Sequence, residues 1–306
     1  FQAEDGIRDY KVTGVQTCAL PIYPHPVLQI LASGLPSSDL VVGLEKALQK
    51  LDIGFTQHLG RFLLERDLEL FERNGLRQYC YEREADLAIL PSHFDATKLR
   101  VLAMDMDSTL ITIECIDEIA DFAGQKSAVA EITAATMRGE IPNFAESLRR
   151  RVALLNGLSE SALHQVYEER LRLNPGAELL ISGAHERDMY TVLVSGGFTF
   201  FTERMQKRLA LCETHSNQLE IIEGKLTGKV LGAIVDGEAK NQFVVTACER
   251  MGLNKGHALV IGDGANDLLM MSDSGLSVAY RAKPVVKEKA DVALDFVGLD
   301  AILQLL

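Results

Sequence analysis

RVLAMDMDSTL (Arg100–Leu110) sets the apolar run Val101 to Met104 directly before two carboxylates, Asp105 and Asp107. A short apolar run closed by polar residues reads as a buried strand. If the strand continued, side-chain alternation would put Asp105 and Asp107 on one side. Two carboxylates so close repel each other and require a cation or a shared proton. The other reading, with Ser108 and Thr109 next in line, is a helix cap, a position that Asp and Ser favour. Three more runs have the same form: TVLVSGG (191–197), HALVIGDG (257–264) and DVALD (291–295). Long helical patterns such as AKNQFVVTACERMGL (239–253) separate them. Buried strands alternating with helices predict an α/β fold on a doubly wound parallel sheet. Ligands in such sheets sit beyond the carboxyl ends of the strands, where all these polar residues fall.

Between the first two of these strands lies a helix-rich insertion, roughly 113–180, containing CIDEIADFAG, SAVAEITAATMRG and NFAESLRRRVALL. A crossover needs only about a dozen residues, so the insertion predicts a helical cap over the site. Upstream, VLQILAS (27–33) and ADLAILP (85–91) read as strands, and DLVVGLEKALQKLDI (39–53) as an amphipathic helix. Residues 23–95 are therefore expected to form a small α+β module, and 97–306 the main domain. Residues 1–22 show neither helical nor strand periodicity. Gln2–Asp9 and Val12–Ile22 are what the codons of a common sequencing adapter encode, with Tyr10 and Lys11 in the place of its index. The segment is expected to be translated adapter, outside the fold.

Composition narrows the partners. The chain has 306 residues, with 43 acidic against 31 basic and a formal net charge of −12. That excess argues against a nucleic-acid or anionic-membrane surface as the main partner. No apolar run approaches the ~20 residues that span a bilayer. Cys80, Cys115, Cys212 and Cys248 lack CxxC spacing, which predicts reduced thiols in a cytoplasmic protein.

Three further pieces accompany the DMDST run. Ser195, Gly196 and Gly197 follow a strand and precede a helix, which suits either an anion cradle or a tight turn. Lys240 stands at the start of a helical pattern, where a lone lysine is ordinarily a solvated group. Asp263 and Asp267 flank Asn266 in GDGAND, which fails the dinucleotide fingerprint because Asp267 stands where Gly is required. Two carboxylates without a histidine or cysteine ligand suit a hard, oxygen-seeking ion such as Mg²⁺.

DMDST, SGG, Lys240 and GDGAND, in that order, resemble the four motifs of the haloacid dehalogenase superfamily of phosphatases. More narrowly, MDMDSTLITIECIDEIA, ESLRRRVALL, SGGFTFF and EGKLTG are similar to the phosphoserine phosphatases of that superfamily, over about residues 97–306. The resemblance implies a Mg²⁺-dependent phosphomonoesterase that hydrolyses the small molecule L-phosphoserine in serine biosynthesis, through an aspartyl phosphate. Asp105 is then the nucleophile and Asp107 the acid and base. Asp105, Asp107 through its carbonyl, and Asp263 hold the metal, with Asp267 in support. Ser195, Gly196 and Lys240 take the phosphate, and Asn266 joins the substrate site. Glu114 meets the substrate ammonium and Arg151 its carboxylate. Phe144 and Met137 resemble an apolar wall, or equally the plain core of the cap.

The same fold could also pass the phosphoryl group to another small alcohol such as homoserine. A binding module that has lost activity is disfavoured by the intact Asp105, Asp107, Lys240 and Asp263. The 23–95 module resembles a small regulatory, ACT-like domain, which leaves open amino-acid binding and homodimer formation.

Overall fold

The computed structural model describes residues 26–32, 36–58, 60–90, 92 and 94–306. The adapter-like segment 1–22 lies outside the described residues. The N-terminal elements run β1 (Val27–Leu31), α1 (Ser38–Lys50), β2 (Phe55–His58), β3 (Arg61–Leu64), α2 (Leu70–Tyr81) and β4 (Asp86–Leu90). This is a βαββαβ unit with antiparallel strand order β2-β3-β1-β4, the ferredoxin-like arrangement. Leu40, Leu44 and Leu48 of α1 and Leu76 and Cys80 of α2 cover one face of it.

The chain continues through β5 (Val101–Met104), the insertion helices α3 (Cys115–Phe122), α4 (Lys126–Met137), α5 (Phe144–Ala153) and α6 (Ser161–Gln165), then α7 (Ala177–His185) and β6 (Tyr190–Phe198). After α8 (Thr199–Leu209) come a hairpin, β7 (Glu213–Ile222) and β8 (Lys225–Leu231), and α9 (Gly237–Arg250). The last elements are β9 (Ala258–Gly262), α10 (Leu268–Met271), β10 (Leu276–Tyr280), α11 (Pro284–Lys289) and β11 (Val292–Leu294).

All described strands join one sheet, ordered β2-β3-β1-β4-β11-β10-β9-β5-β6-β7-β8. Its central part, β11 to β7, is parallel. Along β5, Leu102 and Met104 enter one core and Val101 and Ala103 the other. That alternation, with both faces apolar, is why the run carries no polar residue before Asp105. Helices α3 to α8 pack on the first face, and α9 and α10 on the second. From β5 the chain moves to β6 on one side and later returns to β9 on the other, so the strand order reverses at β5. A crevice opens there.

The module is not a separate sheet. β4 pairs antiparallel with β11 at Ala88 and Val292. Asp86 accepts the backbone N–H groups of Asp295 (2.9 Å), Phe296 (3.0 Å) and Val297 (3.0 Å). Arg77 of α2 donates to the carbonyls of Lys287, Ala290 and Asp291 at the end of α11. The β7–β8 hairpin and β10 were not singled out from sequence, the first because its strands are half-exposed and lack a continuous apolar run.

Candidate active site

The strand ends at Met104, so two-residue alternation does not govern Asp105 and Asp107. The chain instead makes a wide turn over Met106–Leu110 in which Asp107 is extended and Ser108 sits at φ 58°. Both readings of the run coexist: Asp105 Oδ1 accepts the Met106 N–H at 2.7 Å as a cap does, and it also meets Lys240 Nζ at 2.9 Å. Lys240, in the first turn of α9, is 1% exposed rather than solvated. It bridges Asp105 to Asp267 Oδ1, 2.8 Å away.

Asp267 is held by its own turn. Its Oδ2 accepts the N–H groups of Asp263 (3.2 Å) and Gly264 (3.0 Å), and its Oδ1 those of Lys240 and Asn266. A Cβ on Gly262 would lie 2.6 Å from Asp267, so only glycine lets the strand end pass this carboxylate. Asp263 accepts from Thr109 Oγ1 at 3.2 Å. Among the described residues, Asp105, Asp263 and Asp267 each offer a carboxylate oxygen within 4.8 Å of the others. Among the described residues, Lys240 is the ammonium in contact with two of these three carboxylates, and Lys283 draws on Asp263 from farther off.

The electrostatics follow from that imbalance. Burial first, then Asp267, pushes the Asp105 carboxyl upward against the pull of Lys240. Burial, then Asp267 and Glu114, pushes Asp263 to about 7. Asp107 is likewise pushed to about 7, by burial and then by Glu114. Burial opposes the charge of Lys240, yet Asp105 and Asp267 together hold its ammonium above the usual lysine range. The centre is short of positive charge. Asp267 has both oxygens occupied, whereas Asp105 Oδ2 and Asp263 Oδ2 have no hydrogen-bond partner among the described residues. A small, hard cation fits this donor set.

A cavity of about 470 Å³ opens above these groups. Asp105, Asp107, Glu114, Met137, Phe144, Arg151, Ser195, Gly196, Asp263 and Asn266 all line it, whereas Lys240 and Asp267 lie beneath. Ser195 is fully buried, and its Oγ accepts the Gly197 N–H at 2.9 Å, which leaves its proton to donate. Asn217 of β7 fastens this turn from behind, donating to the Gly196 carbonyl at 2.8 Å and accepting the Val235 N–H at 2.8 Å. The Phe144 ring lies over Gly196, where an added Cβ would be 2.8 Å from Cζ. Met137, 65% exposed, sits at the rim rather than in a closed wall. Glu114 accepts from Ser108 Oγ at 2.6 Å. Burial pushes the pKa of the Arg151 guanidinium down, against the pull of Asp117, Glu114 and Asp107. It forms no ion pair among the described residues and donates to the Ser147 carbonyl at 3.4 Å.

Sequence reasoning did not single out Lys283 or Asp117, which also line the cavity. The Lys283 N–H donates to the Asp263 carbonyl at 3.0 Å. Asp117 lies within the MDMDSTLITIECIDEIA stretch but carried no role there, and Lys283 lies outside every quoted stretch, so the fold brings both to the cavity.

Comparison with known proteins agrees with this geometry. Residues 102–272 match the family model of haloacid dehalogenase-like hydrolases. A phosphoserine phosphatase of Polaromonas sp. is 52% identical over 210 residues, which cover 67% of this chain and 89% of the relative. The crystal structure of a probable phosphoserine phosphatase from Vibrio cholerae superposes with a TM-score of 0.74 at 34% identity, covering 92% of this chain and 86% of that one. A substrate-bound phosphoserine phosphatase complex matches with a TM-score of 0.63 at 36% identity, over 68% of this chain and 98% of that one. The chain belongs to the haloacid dehalogenase-like hydrolases and, among them, to the phosphoserine phosphatase family.

Proposed function

We propose that the chain hydrolyses L-phosphoserine to L-serine and phosphate, with Mg²⁺, in the cytoplasm. The observation that carries the reading is one cavity with two ends. Asp105 and the buried Lys240 stand at its floor, and Glu114 and Arg151, which has no ion pair among the described residues, stand on its wall. A phosphate fits the first pair and the ammonium and carboxylate of an amino acid the second. The relatives named above bear the same activity in their names. The described cysteines are all free, as a reducing compartment keeps them.

Asp105, Asp263 and the main-chain carbonyl of Asp107 would hold Mg²⁺, with Asp267 steadying them. When bound, the ion supplies charge against the repulsion between carboxylate and phosphate, about 4 kcal/mol per unit-charge pair at 4 Å and a dielectric of 20. The chain's own groups do the rest. Lys240, Ser195 Oγ–H and the Gly196 N–H hold the phosphate oxygens. Asp105 attacks phosphorus, the bond to the serine oxygen breaks, and Asp107 gives that oxygen its proton. A carboxyl pushed to about 7 still holds its proton near neutrality, which suits the task. Water then attacks the aspartyl phosphate, Asp107 takes a proton from it, and phosphate leaves. A planar guanidinium at Arg151 can grip the substrate carboxylate through two hydrogen bonds.

The test is phosphate release with Mg²⁺ from L-phosphoserine beside phosphoethanolamine, which lacks the carboxylate, with Asp105→Asn as the blank. The expected result is a kcat/KM at least about 100-fold higher on L-phosphoserine, the scale of a charged substrate contact, and no release by the blank. Equal rates on both substrates would remove Arg151 from its role and L-phosphoserine from the reading.

A further inference from the structure

The insertion begins after Ile111 and ends at Leu173, where those two residues form an isolated antiparallel bridge outside the sheet. The crossing is sewn by the Thr112 N–H to the Arg172 carbonyl (2.9 Å) and the Asn174 N–H to the Leu110 carbonyl (2.9 Å). Asn174 does more than pair its backbone. Its side chain is buried, with the residue 5% exposed. The Nδ2 group donates to the carbonyls of Thr109 (2.9 Å) and Ile111 (3.0 Å), and at longer range to that of Ser108 (3.3 Å).

These carbonyls belong to the turn that carries Asp107. The turn cannot satisfy itself as a helix would, because Asp107 and Ser108 depart from helical geometry and Ser108 has a positive φ. A buried carbonyl without a partner costs about 1–3 kcal/mol, so a turn of this shape requires an outside donor. Among the described residues, Asn174 is the side chain that supplies it. The same turn spreads to the rest of the site: Ser108 Oγ holds Glu114, Thr109 Oγ1 meets Asp263, and the Cys115 N–H reaches Asp107 Oδ1 at 3.4 Å.

We propose that Asn174 is a positioning residue for the reaction: its side-chain amide fixes the carbonyls of Ser108, Thr109 and Ile111 and thereby aims Asp107 at the leaving oxygen. Asn174 does not touch substrate and acts through Asp107. The proposal rests on the role given to Asp107 above, and it makes a distinction that a purely structural asparagine would not. An alkyl leaving group must be protonated as it departs, whereas p-nitrophenolate departs without help. Loss of aim therefore harms the first and spares the second.

The experiment measures kcat/KM for L-phosphoserine, ethyl phosphate and p-nitrophenyl phosphate in the full chain and in Asn174→Ala, with Mg²⁺ present. This parameter ends at the departure of the alcohol, so later hydrolysis of the aspartyl phosphate does not enter it. The expected result is a fall of about 100-fold on both alkyl esters, the scale of a catalytic group displaced by about 1 Å, and of less than about fivefold on the aryl ester. An equal loss on all three esters would make Asn174 structural and overturn the proposal. So would a loss on L-phosphoserine alone, which would mean a disturbed cap, or no loss at all. Asn174→Ser keeps one donor in the same space, and its three rates decide the question if the alanine variant does not fold. A parent chain that cleaves ethyl phosphate but not L-phosphoserine would fail the substrate reading while leaving the alkyl-to-aryl comparison decisive.

Discussion

A methyl group on Gly197 would lie 2.8 Å from Asp107 Oδ2, 3.1 Å from Ser195 Oγ and 3.2 Å from Met106 Cε. All three neighbours are buried or held, so Gly197→Ala must move the Asp107 carboxyl or the Ser195 turn. The expected outcome is a loss of about 100-fold in kcat on L-phosphoserine with a small change in melting temperature, read by steady-state kinetics beside thermal unfolding. Unchanged kcat would mean that Asp107 can shift freely without penalty. At this scale the pattern of apolar runs pointed to Asp105, Asp107, Asp263 and Asp267, whereas Ser195 and Lys240 stood out only through the resemblance to a known family; the structure brings all six to the floor of one crevice. The sequence was silent on Asn174, Asn217 and Lys283. Their partners are Thr109 and Ile111, Gly196 and Val235, and Asp263, all remote in the chain or outside any pattern.

Among the elements, β4 has a double role, as the last strand of the N-terminal unit and the neighbour of β11. Its first residue, Asp86, is 4% exposed and receives three backbone N–H groups from the segment after β11. Burial pushes the Asp86 carboxyl up even though those hydrogen bonds pull it down. Asp86→Ala leaves the three donors without their acceptor and is expected to cost about 3 kcal/mol of stability. Urea unfolding measures it, and a cost below about 1 kcal/mol would mean that water replaces the carboxylate. The strands β1 and β4 and the helix α1 could be read from apolar periodicity within a few residues of where they lie. Their attachment to the main sheet could not. One pairing of Ala88 with Val292, together with Asp86 and Arg77, makes that join, and none of these contacts leaves a local pattern.

For the molecule as a whole, the acidic centre links stability to pH. Asp107 and Asp263 are held at about 7 and Asp105 also lies above its ordinary range, so the folded chain binds more protons than the unfolded one across this window. Their contribution is fully present below the unfolded carboxylate value of about 4 and is lost as pH rises through about 7. In chelator, the melting temperature is therefore expected to fall between pH about 5 and about 8, and Mg²⁺ should reduce the fall by binding the ionised carboxylates. Asp263→Asn should flatten the slope in chelator. A melting temperature that rises with pH in chelator would contradict the charge imbalance. The sequence by itself determined the fold class and set polar residues at the strand ends, where the cavity opens. Strands buried on both faces must be apolar until they end, and polar groups at those ends can serve only a ligand or a cap. Only the tertiary structure decided how those groups meet: the lysine buried between two aspartates, the turn held open by Asn174, and the module sewn onto the sheet edge. These depend on burial and on contacts between distant residues, whose energies no local spacing encodes.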